Sequence, residues 1–365
     1  MTRPAPIRTL VAAGLAFVVS AAATAADRRV HRRSGSPPLS VSRVVATPDE
    51  LVVTIDDRGL SREDRIPWDR VAAVDPDDDG RLEVGVASGL ELGERIWRGI
   101  RRLQRHDARL ARAAFAQARA LEPEVPGPLA STTLEGLVRA GIELGDTEQV
   151  LADALILGDL ALAGHRSDRF DGPLFPASVV DAATGLVPEV PPVGDDVDLI
   201  ALRRRLRDTP VFADTSEVRR DLWVRLIERA GPPDVADRGL DEGTRLLLEL
   251  SRLDAADPKL REDARRRLLD RLDEMPAWRI AWVRWFTGSS AIEHAEGDAD
   301  RTLQGVLDLV HVLALEDAAP LAIRRAALER AADALADLGR DDDAAVLRAI
   351  LTFEHPDRPG TESSP

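Results

Sequence analysis

The stretch SEVRRDLWVRLIERAG, residues 216–231, decides what kind of chain this is. Its apolar residues Val218, Leu222, Leu226 and Ile227 recur at three- and four-residue spacings, which a 3.6-residue helix gathers onto one stripe. Ser216 stands where an N-cap hydroxyl accepts from the first free amides. Gly231, followed by Pro232 and Pro233, stands where a helix has to stop. The stretch is therefore predicted to be an amphipathic helix whose stripe needs a partner of the same kind.

The design recurs on both sides. PLAIRRAALERAADALADLG, residues 320–339, carries Pro320 in its first turn and Gly339 at its exit. The same period predicts helices over 89–105, 108–121, 129–144, 147–163, 242–253, 258–272 and 302–315. Breaks such as LGD, AGPP and DADR are only a few residues long, so neighbouring helices pack antiparallel. Residues 165–198 are the exception, because five prolines and repeated glycines forbid a continuous helix there. An ordered loop is predicted, since a solvated linker has no use for Phe170, Leu174, Phe175, Val179, Val180, Leu186 and Val187.

Ahead of the helices the period is two. LSVSRVVA (39–46) and LVVTIDD (51–57), joined by TPDE, read as a hairpin in which Leu51, Val53 and Ile55 share one face. RIPWDRVAAV (65–74) lays Trp68 and Val71 against it. Four or five short strands in so small a segment predict a small barrel or curled sheet of the SH3-like kind. The chain is thus read as mainly α, an array of antiparallel helix hairpins preceded by a β module. The boundaries are module 27–76, connector 77–88, hairpins 89–164, loop 165–198, array 199–356 and a disordered tail 357–365.

The first residues have the pattern of a secretory leader. A basic start (Arg3, Arg8) precedes the apolar run from Leu10 to Ala25. The small pairs Ala23 and Ala25, or Thr24 and Ala26, suit cleavage after Ala25 or Ala26, which makes 1–26 a signal peptide and the protein extracytoplasmic. If the leader stays uncleaved it becomes a membrane anchor, although the apolar run is short for a span. There is no cysteine, so neither a disulfide nor a lipid-anchoring thiol is available. The formal charge is −15, and −17 without the leader's two arginines, which makes nucleic acid an unfitting partner. Lys259 is the sole lysine, and the Ala, Arg, Asp and Gly usage has the look of a GC-rich bacterial genome.

HDARLARAAFAQARALEP, residues 106–123, resembles the second helix of a tetratricopeptide repeat: Ala111, Phe115, Ala118 and Pro123 fall at that family's small, aromatic, small and terminating positions. Gly99 matches its close-contact glycine in the preceding helix, whereas Arg95, Arg98 and Arg102 depart from its apolar pattern. A second partial match closes the chain. Leu328, Ala331, Ala332 and Leu335 match the first helix, Ala344 and Pro356 match the second, and Arg348 replaces the aromatic. The resemblance covers two hairpins, and implies a concave face that binds a protein or peptide.

Three constellations invite chemistry. VDPDDDGRLEV, residues 74–84, matches the first half of a calcium loop, with Asp75, Asp77 and Asp79 as metal ligands, Gly80 at the turn and Leu82 at the apolar position. Val86 stands where the closing glutamate belongs, so a plain acidic turn is the preferred reading. PAWRIAWVRWF (276–286) sets Trp278, Trp282 and Trp285 on one helical stripe bordered by Phe286, a core seam in preference to a sugar-gripping face, with Arg279 and Arg284 expected in solvent. Histidines 31, 106, 165, 294, 311 and 355 show no zinc spacing. With no nucleophile elbow, phosphate-cradling glycine loop or cysteine nucleophile, no catalytic residue and no cofactor is expected. The expectation is a non-catalytic exported scaffold that binds a protein or peptide. The alternative is an envelope-associated carbohydrate-binding module that uses the tryptophan stripe, with or without calcium.

Overall fold

The computed structural model describes residues 28–57, 60–77, 79–121, 127–170, 175, 178–194, 197–315 and 318–354. The leader 1–26, Pro123, Leu174, His355, Pro356 and the tail 357–365 lie outside the described residues.

The β segment forms six antiparallel strands: β1 (Arg28–Arg32), β2 (Leu39–Val41), β3 (Arg43–Ala46), β4 (Glu50–Asp57), β5 (Leu60–Pro67) and β6 (Val71–Val74). They make two three-stranded sheets, ordered β2-β1-β6 and β3-β4-β5. Strands β2 and β3 are one run of chain bent at Ser42, whose amide donates to the Thr54 carbonyl at 2.9 Å, so the chain passes from one sheet to the other there. A 3-10 turn, Trp68–Arg70, separates β5 from β6. Leu51, Val53, Trp68 and Val71 are fully buried, as the two-residue alternation predicts. The Trp68 indole donates to the Thr47 carbonyl at 2.8 Å, and its ring lies where Gly89 of the first helix leaves no side chain in the way.

Twelve α-helices follow among the described residues: α1 (Val86–Leu103), α2 (Ala108–Leu121), α3 (Pro128–Leu144), α4 (Leu151–Leu162), α5 (Leu199–Asp208), α6 (Ser216–Glu228), α7 (Glu242–Ser251), α8 (Pro258–Leu269), α9 (Ala277–Glu293), α10 (Ala299–Leu313), α11 (Leu321–Asp337) and α12 (Asp341–Glu354). The protein is mainly helical with a small N-terminal antiparallel sheet region. Helix α10 starts three residues before its predicted Thr302 because Asp298 caps it, accepting from the amides of Asp300 and Arg301. The segment predicted as one helix over 147–163 divides into a 3-10 turn, Glu148–Val150, and α4. Lys259 lies exposed in the first turn of α8.

Each of α1 to α4 packs on the next, as does each of α9 to α12, and α1 also meets α3 while α9 meets α11. Ala111, Phe115 and Ala118 are fully buried on α2. The Phe115 ring occupies the space that a Cβ on Gly99 of α1 or on Gly136 of α3 would need, so two glycines on different helices open the slot that one ring fills.

Two apolar cores result. One joins the β strands to α1, α2 and part of α3, and the other runs from α3 to α12. Helix α3 supplies Leu129, Leu137 and Ala140 to the first and Leu134 and Val138 to the second. The proline-rich segment visits both: Phe170 is buried in the first core, and Leu186, Val187 and Val190 are buried in the second. These four residues tie its described parts to the helices by burial.

Candidate functional site

In the acidic turn after β6, Asp75 and Asp77 are occupied by partners in the turn and on β1. Asp77 accepts from the amides of Asp79 at 3.1 Å and Arg81 at 2.7 Å, the turn closes with Gly80 at φ 74°, and Arg28 pairs with Asp77 and Glu83. Asp75 faces His31 at 3.2 Å. Asp75 and Asp77 are thus aimed at different partners, and Asp75, Asp77 and Asp79 do not gather into a three-ligand group among the described residues.

The tryptophan stripe forms an inner seam. Trp282 is fully buried, donates its indole N–H to the Pro188 carbonyl at 3.0 Å, and makes edge contacts with Trp223 and Trp278 at centroid distances of 6.1 and 5.3 Å. Trp278 and Trp285 are half-buried against the same core. Arg279 and Arg284, expected in solvent, are not free there. Arg279 is buried and donates to Glu242 at 2.7 Å, while Arg284 is half-buried and shares the buried Asp308 with Arg265. The reason is charge pairing across helices, which the stripe of a single helix cannot reveal.

The same correction applies to the decisive helix itself. Of its predicted stripe, Leu222 and Leu226 are fully buried, whereas Val218 and Ile227 are half-buried. Ser216 is not the cap; its hydroxyl accepts from the Ala213 amide instead. Arg219 and Arg220 are buried on α6 and meet the buried Asp159 of α4 at 3.8 and 3.1 Å. Arg219 also donates to the Thr184 and Gly185 carbonyls and to Asp241 at 2.6 Å, and Arg220 donates to the carbonyls of Leu206, Thr209 and Pro210. Asp241, the N-cap of α7, accepts further from the Thr244 amide and from the hydroxyls of Thr244 and Thr215. Burial pushes the Asp159 carboxyl up, against the pull of both arginines. For Asp241 burial also raises, but Arg219, Thr215 and Thr244 outweigh it and hold the carboxyl below its ordinary value. The network joins α4, α6, α7 and the proline-rich loop, and its groups are turned toward one another.

Two further places stand out among the described residues, one an open groove and one a largely buried cluster. The first is a groove of about 550 Å³ lined by Arg109, Arg112, Ala113 and Ala116 of α2 and by Leu144 and Asp146 at the end of α3. Its floor is small and apolar, and its rim carries both charge signs. The second is a cluster where α9 ends. Asp254 closes a 3-10 turn after α7, Glu293 is the last residue of α9 and His294 its C-cap, and their ligand atoms lie within 4.8 Å of one another. Burial pushes the Asp254 carboxyl up to about 6; Arg229 pulls it down and Glu293 pushes it further up. Burial and Arg261 lower His294. Sequence spacing could not find this cluster, because Asp254 is remote along the chain from the Glu293–His294 pair.

No family model, no curated protein and no solved structure matches this chain. Among the described residues, no helix is long and apolar enough to cross a membrane.

Proposed function

We propose that this protein is an exported, non-catalytic scaffold that holds a protein or peptide partner on a tetratricopeptide-like helical array. The observation that carries the reading is the packing of helices on their second neighbours, α1 on α3 and α9 on α11, in both groups of sequentially paired helices. Stacked hairpins bring every other helix side by side in this way, and present a continuous row of helices to a ligand. The β module supports an SH3-like reading, with one strand bent between two sheets and a 3-10 turn before the strand that returns to β1. The groove on α2 and the end of α3 is the proposed contact surface. Ala113 and Ala116 let a peptide backbone approach closely, while Arg109, Arg112 and Asp146 set the charge pattern along it.

The test is capture of partners from the native envelope with the full chain and with Ala116→Trp, a substitution at an exposed position that fills the groove and leaves the core alone. A partner retained by the parent chain and lost by Ala116→Trp supports the reading. A partner retained equally by both places the contact elsewhere and removes the groove from the proposal. N-terminal sequencing of the exported protein tests the leader, with Ala26 or Asp27 expected as the first residue.

A further inference from the structure

At the end of α9 the structure holds polar atoms whose needs are unmet. The Asp254 side chain is only 3% exposed, and neither carboxylate oxygen has a hydrogen-bond partner; Oδ1 meets Arg229 at 2.9 Å as an ion pair. The Nε2 atom of His294 is shut off from solvent and is also without a partner. Buried polar groups are normally hydrogen-bonded or hold an ion, so the unpartnered Asp254 oxygens, set within 4.8 Å of a Glu293 oxygen and a His294 ring nitrogen, point to a missing partner. Arg229 currently supplies a positive charge, lying 3.1 Å from Glu293 and over the rings of Trp285 and Phe286 at 5.6 Å each. A guanidinium has only donors, so it neutralises two carboxylates and leaves an imidazole lone pair unused.

We propose that Asp254, Glu293 and His294 bind a divalent transition-metal cation of the zinc class. One imidazole and two carboxylates suit zinc, whereas calcium and magnesium prefer oxygen ligands alone. A three-ligand set also leaves room for water as a fourth ligand. Arg330, 2.5 Å from Glu293, orients that carboxylate in the way outer partners hold metal ligands. The incoming ion replaces the contact of Arg229 with both carboxylates, while the aromatic rings continue to hold its guanidinium. Arg330 and Arg261 keep further positive charge beside the site, with Arg261 anchored on the carbonyls of Ala255 and Ala256. Arg229 is therefore a competitor of the ion, and its removal strengthens binding.

The experiment titrates metal-stripped full-length protein with Zn²⁺ by calorimetry, alongside thermal melts with and without the ion. One ion per chain is expected, with a rise in melting temperature. His294→Ala and Glu293→Gln should each weaken binding by about tenfold or more, and Arg229→Asn, in which asparagine accepts the left-handed backbone at φ 56°, should tighten it. Asp77→Asn, in the acidic turn, should leave it unchanged. Glu293 is exposed, so its variant folds even if the others falter. Absence of zinc uptake, uptake that Glu293→Gln leaves intact, or uptake lost on Asp77→Asn overturns the proposal.

Discussion

Phe115 shows how far a single residue can be read. Its spacing from Ala111 and Ala118 marks it as inward-facing, and it is fully buried. What spacing cannot show is that the space for the ring is made elsewhere, by Gly99 and Gly136. Replacing a glycine by alanine inside a helix ordinarily stabilises by about 0.5–1 kcal/mol. Gly136→Ala should do the reverse, destabilising by about 1–3 kcal/mol, because the new methyl group meets the Phe115 ring in a close-packed slot. Urea denaturation checks the sign. A double-mutant cycle with Phe115→Leu should recover part of the loss, since the smaller side chain vacates the contact. The Asp254 cluster lies at the opposite limit, because its members touch only once several helices have packed.

At the scale of elements, helix existence was legible and helix burial only partly so. Apolar periodicity finds α2 with both of its ends and places α6 to within a few residues. It is silent on Arg219 and Arg220, which are buried although a charged residue on a stripe-bearing helix is ordinarily solvated. Their burial depends on Asp159 and Asp241, which belong to other helices. Asp241 gives this network a pH signature. Its folded-state value lies below the ordinary carboxylate value, so the stability it confers is present above about pH 4 and is lost as pH falls through the lower folded value. Asp241→Asn keeps a capping side chain but loses the charge on Arg219, and should cost about 1–3 kcal/mol at neutral pH. Chemical denaturation at pH 7 and pH 3 should show the difference between variant and parent shrinking in acid. An equal difference at both values removes Asp241 as the source.

For the whole molecule, the change of period from two to 3.6 near residue 89 reads as a boundary between modules, yet the core does not divide there. The sheets are completed by α1, with Trp68 set against it, and burial partners of this kind are beyond any local pattern. Truncating Trp68 to alanine should therefore cost about 3–5 kcal/mol and loosen α1 and α2 along with the strands. Hydrogen exchange is the direct measurement, with faster exchange expected across residues 86–121 as well as 28–74. An effect confined to the strands would show that the helices hold without them.

The exposed position of Lys259 in the first turn of α8 has a practical consequence. In a chain with one lysine and no cysteine, an amine-directed reagent applied once the terminal α-amine is acetylated finds a single side chain to modify. Every tethered molecule then hangs from the same point on its surface, so a chip or an optical trap presents one uniform orientation without any engineered handle.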